Sequence, residues 1–316
     1  MTRVLVAVGS DSPEQWLPEF ALALPEAEIF WHEAGKALPG QIDYAVVWAP
    51  KPGLMDQLEG LKAVFSLGAG VDHIFASGGG PANIPVVRYV GADLTTRMSE
   101  WVVLQCLMHL RQQRAYDGQQ AKRQWRSLPQ PAAGEVRVGL LGLGVLGRDA
   151  AAKLKAIGFQ VSGWSRSQKQ IDGIACHSGE SGLAALLETT DILVSLLPLT
   201  PDTRGLVNAA VLAQLPQDGA LGGPVYLNAG RGRTQVDADI LAALESGLLK
   251  AASLDVFETE PLPDDSPMWA APNLTITPHA AAWSARSDVV RYVARQIRRH
   301  QAGGALENVV DPQRGY

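Results

Sequence analysis

Only two cysteines occur in the 316 residues, Cys106 and Cys176, and no CxxC pair is present. That excludes a disulfide framework and a zinc knuckle, and it fits a chain kept in a reducing compartment, the cytoplasm. Positive charge is not in excess: 27 Lys and Arg against 32 Asp and Glu leave a formal net charge of −5, with a pI near 5.7. This balance opposes attraction to polyphosphate or anionic lipid, so neither nucleic acid nor a membrane is an expected partner. Long hydrophobic runs are also missing. The stretch from Trp101 to Leu110 is half a membrane span, and Leu183 to Leu199 is broken by Glu188 and Asp191. Residues 1–11 carry one basic residue and a short apolar run ending at Gly9, which reads as a first strand rather than a signal segment. His32, His73, His109, His177 and His300 belong to no HExxH-like spacing, and no metal site is expected.

What is present is enough apolar material, 47% of residues, for two cores; single cores stop growing near ~250–300 residues. Up to about residue 94, short apolar runs at Val4–Val8, Ile29–Trp31, Tyr44–Trp48, Ala63–Leu67 and Val86–Val87 alternate with helix-like segments, the rhythm of a parallel α/β sheet. One long helix is predicted from Leu94 to Arg126, because no Gly or Pro interrupts it before Gly118. A second set of six strands follows, at Val136–Leu141, Gln160–Trp164, Ile192–Leu197, Val225–Asn228, Ala251–Phe257 and Leu274–Thr277. Six strands complete a Rossmann domain. A last helix after Ser284 presents Val289, Val293 and Ile297 on one face. The Gly78–Pro81 run follows no strand and reads as a surface loop.

One strand–turn–helix motif carries chemistry. Strand Val136–Leu141 runs into Gly142-Leu143-Gly144-Val145-Leu146-Gly147, and a helix follows that stops at Gly158. In a GxGxxG turn of this setting the first glycine makes the tight turn, the second lets a pyrophosphate approach, and the third lets helix pack on sheet. At the end of the next strand, where an NAD-binding unit places an acid for the ribose, the chain has Ser165-Arg166-Ser167. A guanidinium between two hydroxyls suits a 2′-phosphate, so NADPH is expected over NADH; a solvated loop arginine is the alternative.

Three segments end on strands: Asn228-Ala229-Gly230-Arg231-Gly232, Asp255-Val256-Phe257-Glu258-Thr259-Glu260-Pro261-Leu262, and Thr277-Pro278-His279. Ligands sit at that edge of an open α/β sheet, so an Arg, a Glu and a His are placed to converge there. With these motifs the chain resembles the D-isomer-specific 2-hydroxyacid dehydrogenases over nearly its full length. It is most similar to their NADPH-dependent glyoxylate/hydroxypyruvate reductases, through Trp164-Ser165-Arg166-Ser167, Trp48-Ala49-Pro50 and Met98-Ser99-Glu100-Trp101. Ser165 departs from the ribose-binding Asp of most members.

The resemblance implies two Rossmann-like parallel-sheet domains with the active site in the cleft between them. A cofactor domain, 99–283, is inserted into a flavodoxin-like substrate domain, 1–98 and 284–316, and the whole is expected to be a homodimer. Reduction of a 2-oxo acid puts negative charge on the carbonyl oxygen, so a proton donor and a fixed cation must face it. His279 is the expected acid, Glu260 its partner, and Arg231 the clamp for the carboxylate. The resemblance also assigns Val145, Leu146, Leu197, Pro198, Asn228 and Ala229 to the cofactor, and Asp255 to its nicotinamide end. A loop-capping acid is the other reading of Asp255. The turn with Ala69, Gly70 and Val71 is expected to bind substrate carboxylate through backbone N–H groups, or else to be a plain strand–helix turn. Trp48, Met98 and Trp283 are expected pocket walls, or else core. Glyoxylate and hydroxypyruvate are the expected substrates; a bulkier 2-oxo acid and a corepressor-like dinucleotide sensor are the alternatives.

Overall fold

A computed structural model describes every residue except 10, 39, 76–82, 312–313 and 316, so the Gly78–Pro81 loop lies outside the described residues. The chain forms two compact units, residues 1–94 with 284–316, and residues 95–283.

The first unit runs β1 (Thr2–Val8), α1 (Pro13–Ala23), β2 (Ala27–Trp31), β3 (Tyr44–Trp48), β4 (Ala63–Ser66), α2 (Asp72–Phe75) and β5 (Val86–Val87). Its strands pair in the order β2-β1-β3-β4-β5, all parallel. That order is the flavodoxin-like one. Val4–Val8, Tyr44–Val47 and Ala63–Ser66 are buried without alternation, because helices cover both faces of a parallel sheet. The chain's last segment returns to the β5 edge, where the Val310 N–H bonds Val86 O at 2.8 Å and blunts that edge.

From the first unit the chain leaves through α3 (Ala92–Leu110), followed by α4 (Gln113–Ala121). One continuous helix was expected here, and Gln112 breaks it by taking a left-handed φ of 54°. The cause is the end of the apolar face: α3 buries Val102, Cys106 and Leu110, whereas α4 buries nothing and gains nothing by continuing the axis. No Gly or Pro announces this turn.

The second unit continues with β6 (Arg137–Leu141), α5 (Val145–Ile157), β7 (Gln160–Trp164), β8 (Ala175–His177), α6 (Gly179–Leu187), β9 (Ile192–Ser195), α7 (Ala209–Leu212), β10 (Val225–Asn228), α8 (Asp237–Ser246), β11 (Ala251–Leu254) and β12 (Leu274–Ile276). The parallel order is β12-β11-β10-β9-β6-β7-β8. This has seven strands against the six expected; the short β8 pairs with β7 through three residues and has no apolar run to mark it. Side chains alternate across the sheet. Val138, Leu140, Ile192, Val194, Val225 and Leu227 pack toward α3 and α5, while Leu141, Leu193, Tyr226, Ala252 and Leu254 pack toward α6, α7 and α8. A final helix, α9 (Arg286–Gln301), belongs to the first unit and lies against α1, burying Val289, Val293 and Ile297. The expected two parallel α/β sheets are thus present. No helix among the described residues is long and apolar enough to cross a membrane.

Candidate active site

Register builds the site. Trp164, Leu141, Ser195, Asn228, Leu254 and Ile276 stand level across six neighbouring strands, and at ~4.8 Å per strand that edge is about 24 Å long. Each chain leaves it in the same direction. Gly142 follows Leu141, Ser165 follows Trp164, Leu197 and Pro198 follow Ser195, Ala229 and Arg231 follow Asn228, Asp255 follows Leu254, and His279 follows Ile276 by three residues. The expected cofactor and catalytic residues of this unit therefore share one edge.

At its β11–β12 end, Nδ1 of His279 lies 2.7 Å from Oε2 of Glu260, with both side chains about one-third exposed. Oε1 of Glu260 accepts the Phe257 N–H at 2.9 Å. Burial pushes the Glu260 carboxyl up. The His279 and Phe257 hydrogen bonds and the charges of His279 and Arg231 outweigh it and hold the group below the ordinary carboxylate range. His279 itself has a left-handed φ of 50°. What holds it there is Asp255, buried at 2% exposure. Its Oδ1 accepts from Thr277 Oγ1 (2.5 Å) and the Ala280 N–H (2.8 Å), its Oδ2 accepts from the Ala281 N–H (3.0 Å), and its backbone O accepts the His279 N–H (2.8 Å). Asp255 thus caps the loop that carries His279. Thr277, which sequence reasoning passed over, also accepts from Trp101 Nε1 at 3.1 Å.

Arg231 stands in the turn after β10, its Nη1 donating to Gly230 O at 2.9 Å. The turn is tied by fully buried Asn228, whose Oδ1 accepts the Gly230 N–H at 2.9 Å. Gly232 is required there, since a Cβ would stand 1.8 Å from the Phe257 carbonyl oxygen.

The glycine turn has the form a dinucleotide needs. Gly142 has φ 105°, and a Cβ on Gly147 would stand 1.9 Å from Gly142 O, so both are fixed by packing. Gly144 differs: a Cβ there meets nothing within 4 Å, and Gly144 and Val145 are exposed while Leu146 is half-buried. Gly144 caps the thirteen-residue α5 with no side-chain hydrogen bond, which leaves the first helical N–H groups facing open space. Such a cradle fits a pyrophosphate. Along the edge, Ser165 Oγ donates to Ser167 O at 2.8 Å, and Arg166, half-exposed, is 3.5 Å from Asp202.

In the first unit, Ser66 Oγ donates to Gly70 O at 2.9 Å across the turn holding Ala69, Gly70 and buried Val71. The Trp48 ring lies on this turn, 2.6 Å from where a Gly68 Cβ would be, and 4.6 Å from the His73 ring. Met98 is part of the core of the second unit, whereas Trp283 is 70% exposed. His109 is neutral: burial, with Arg114 and Lys250 nearby, pushes its pKa down to about 4, and it bonds Ser253 Oγ at 2.9 Å. Among the described residues no cluster of three or more His, Cys, Asp or Glu is arranged to hold a metal.

Residues 103–281 match the family model described as D-isomer specific 2-hydroxyacid dehydrogenase, NAD binding domain. The chain belongs to this dehydrogenase family. Glyoxylate/hydroxypyruvate reductase A of Klebsiella pneumoniae (strain 342) is 40% identical over 306 residues, 95% of this chain and 96% of that one. Among solved structures, an NADPH-dependent glyoxylate/hydroxypyruvate reductase from Sinorhizobium meliloti, in complex with NADP and sulfate, is 50% identical with a TM-score of 0.95 over 100% of both chains. A probable 2-hydroxyacid dehydrogenase from Rhizobium etli CFN 42, in complex with NADP, HEPES and L(+)-tartaric acid, is 45% identical with a TM-score of 0.93, again over 100% of both. In this dehydrogenase the sequence motifs include Thr277 but give it no role, whereas its hydroxyl bonds Asp255 in the loop that carries His279.

Proposed function

We propose that this dehydrogenase reduces small 2-oxo acids with NADPH, taking glyoxylate to glycolate and hydroxypyruvate to D-glycerate, with His279 as general acid. The observation that carries the reading is the 2.7 Å pairing of His279 Nδ1 with Glu260, on the edge that also holds Arg231. Glu260 accepts at Nδ1, so Nε2 is the ring nitrogen left to deliver a proton to the carbonyl oxygen. Arg231, always charged, binds the substrate carboxylate and polarises the carbonyl. NADPH, when bound, supplies the hydride to the carbonyl carbon. Gly142, Gly144, Val145, Leu146 and Gly147 would hold its pyrophosphate, Ser165, Arg166 and Ser167 its 2′-phosphate, and Leu197, Pro198, Asn228, Ala229 and Asp255 the remainder. The amides of Ala69, Gly70 and Val71, with Trp48 and Trp283, are proposed to complete substrate binding.

The relatives named for NADPH-dependent glyoxylate/hydroxypyruvate reduction support this choice of substrate and cofactor. A homodimer is part of the proposal; Trp125, fully exposed, and Leu104 at 53% are large apolar side chains that a second copy would cover, and the mass in solution checks it. The test of the activity is NADPH oxidation with glyoxylate, hydroxypyruvate and bulkier 2-oxo acids. Turnover with the two small acids is expected, and His279→Ala is expected to lower kcat by about 10²–10⁴-fold while NADPH affinity changes little. Turnover only with bulkier acids overturns the substrate choice, and an active His279→Ala overturns the acid.

A further inference from the structure

Behind Arg231 and Glu260 runs a chain of hydrogen bonds with a fixed direction, buried at one end and half-exposed at the other. The Gly230 N–H donates to Asn228 Oδ1 (2.9 Å), Asn228 Nδ2 to Gln235 Oε1 (2.8 Å), and Gln235 Nε2 to Asp237 Oδ1 (2.8 Å). From the opposite side the Glu258 N–H donates to Asp237 Oδ2 (3.0 Å), and the Glu258 carboxylate accepts the Asp237 N–H at 3.2 Å. Asn228 and Gln235 are fully buried. One end of the chain is the residue before Arg231, and the other lies two residues before Glu260. We propose that Gln235 and Asp237 are positioning residues that set the Arg231 cation against the Glu260–His279 pair. The proposal rests on the reductase reading and adds to it the parts that fix its geometry.

The residue types follow from the donors. Asp237 receives an N–H on each oxygen, so the position needs a group that only accepts. Gln235 must accept from Asn228 at one end and donate to Asp237 at the other, which an amide does and a carboxylate or an aliphatic side chain does not. Asparagine at 237 would turn its NH₂ toward either Gln235 Nε2 or the Glu258 N–H, and one donor would face another in both orientations. Buried polar groups left facing like partners shift to find others. A shift of about 1 Å in a catalytic group costs on the order of 10²-fold in rate.

The chain also carries a pH signature. The charged groups that act on Asp237 are Glu258 and Glu260 from the loop after β11; Arg231, from the turn after β10, acts on Glu260, and Arg233 Nε donates to Glu258 O at 3.2 Å. Asp239 of α8 accepts the Ala209 N–H instead. Burial, helped by the charges of Glu258 and Glu260, outweighs the Gln235 and Glu258 hydrogen bonds and holds the Asp237 carboxyl above its ordinary range, whereas Glu260 is held below its own. As pH falls, Asp237 takes up a proton at a higher pH than an ordinary aspartate does. Its new O–H then meets a donor, and the chain breaks at that link.

The experiment uses the full chain with glyoxylate and NADPH, comparing wild type, Asp237→Asn and Gln235→Met. Both variants are expected to lose kcat by about 10–100-fold, with NADPH Kd within about twofold of wild type because no cofactor contact is removed. The wild-type acid limb of kcat, set by Asp237, is expected to vanish from Asp237→Asn and to persist in Gln235→Met, which keeps the carboxylate. Wild-type kcat in either folded variant, an acid limb unmoved in Asp237→Asn, or a loss that matches the unfolded fraction overturns the positioning role. If Asp237→Asn does not fold, Gln235→Met and the wild-type acid limb still decide. A wild type that does not turn over glyoxylate with NADPH fails at the reductase reading itself, whereas an active wild type with unaffected variants fails only here.

Discussion

Gly144→Ala separates cofactor binding from folding. The backbone at Gly144, φ −77° and ψ −160°, is one that alanine adopts, and its Cβ would meet nothing within 4 Å. Replacing glycine restricts the unfolded chain and stabilises by about 0.4–1 kcal/mol, while alanine is a worse helix N-cap than glycine by roughly 0.5–1 kcal/mol. These nearly cancel, so the melting temperature without cofactor is expected to stay within about 2 °C of wild type. The methyl group does fill the space that the pyrophosphate would occupy. Losing one charge-assisted hydrogen bond to it costs about 1.5–3 kcal/mol, a rise in NADPH Kd of about 10–100-fold. Gly147→Ala supplies the contrast, because its Cβ would be 1.9 Å from Gly142 O; overpacking of this kind costs about 1–3 kcal/mol or more, and a drop of roughly 2–12 °C is expected. Fluorescence titration gives Kd and thermal unfolding gives the melting temperature. Wild-type NADPH affinity in a folded Gly144→Ala protein would refute the placement of the pyrophosphate over this turn.

Two further outcomes rest on single side chains. Arg166→Ala should weaken NADPH about tenfold and leave NADH unchanged; a charge-assisted bond is worth about 1.5–3 kcal/mol, and the lower end applies because Arg166 is half-exposed and shared with Asp202. Equal losses with both cofactors would show that Arg166 does not read the 2′-phosphate. Asp255→Asn replaces an acceptor of three donors with a group that must turn an NH₂ toward one of them, so stability should fall by about 2–3 kcal/mol and kcat with it. Unchanged thermal unfolding would remove Asp255 as the cap of the His279 loop.

The strands were legible because burial on both faces leaves plain apolar runs, and β3, β5, β7 and β10 have the bounds their sequences suggest. Strand ends were overread where an apolar residue continues past the last pairing, as at Phe257, which is buried beyond the end of β11. Burial outlasts the ladder there, and a hydrophobic pattern records burial rather than pairing. The break at Gln112 and the strand β8 were illegible for the complementary reason. Gln112 turns the chain where an apolar face stops, not where a turn residue starts, and β8 is a three-residue edge strand with no face to bury.

At the candidate site, the sequence displayed the groups proposed to act on other molecules and concealed those that bond within the chain. Arg231, Glu260 and His279, the residues proposed to act on substrate, could be picked out because a cation, an acid and a ring nitrogen follow strand ends. Asp255 had two open readings, since an acid after a strand serves a ligand and a loop equally well. The geometry occupies both of its oxygens with donors from residues 277, 280 and 281, and from that the left-handed His279 acquires its cause: a buried acid pulls two successive N–H groups inward and leaves the ring to face Glu260. Gln235 and Asp237 had no signal at all. Their partners are a side chain seven residues back and a backbone N–H twenty-one residues ahead, and a hydrogen bond of that span depends on strand register, which appears only when β9, β10 and β11 are laid side by side.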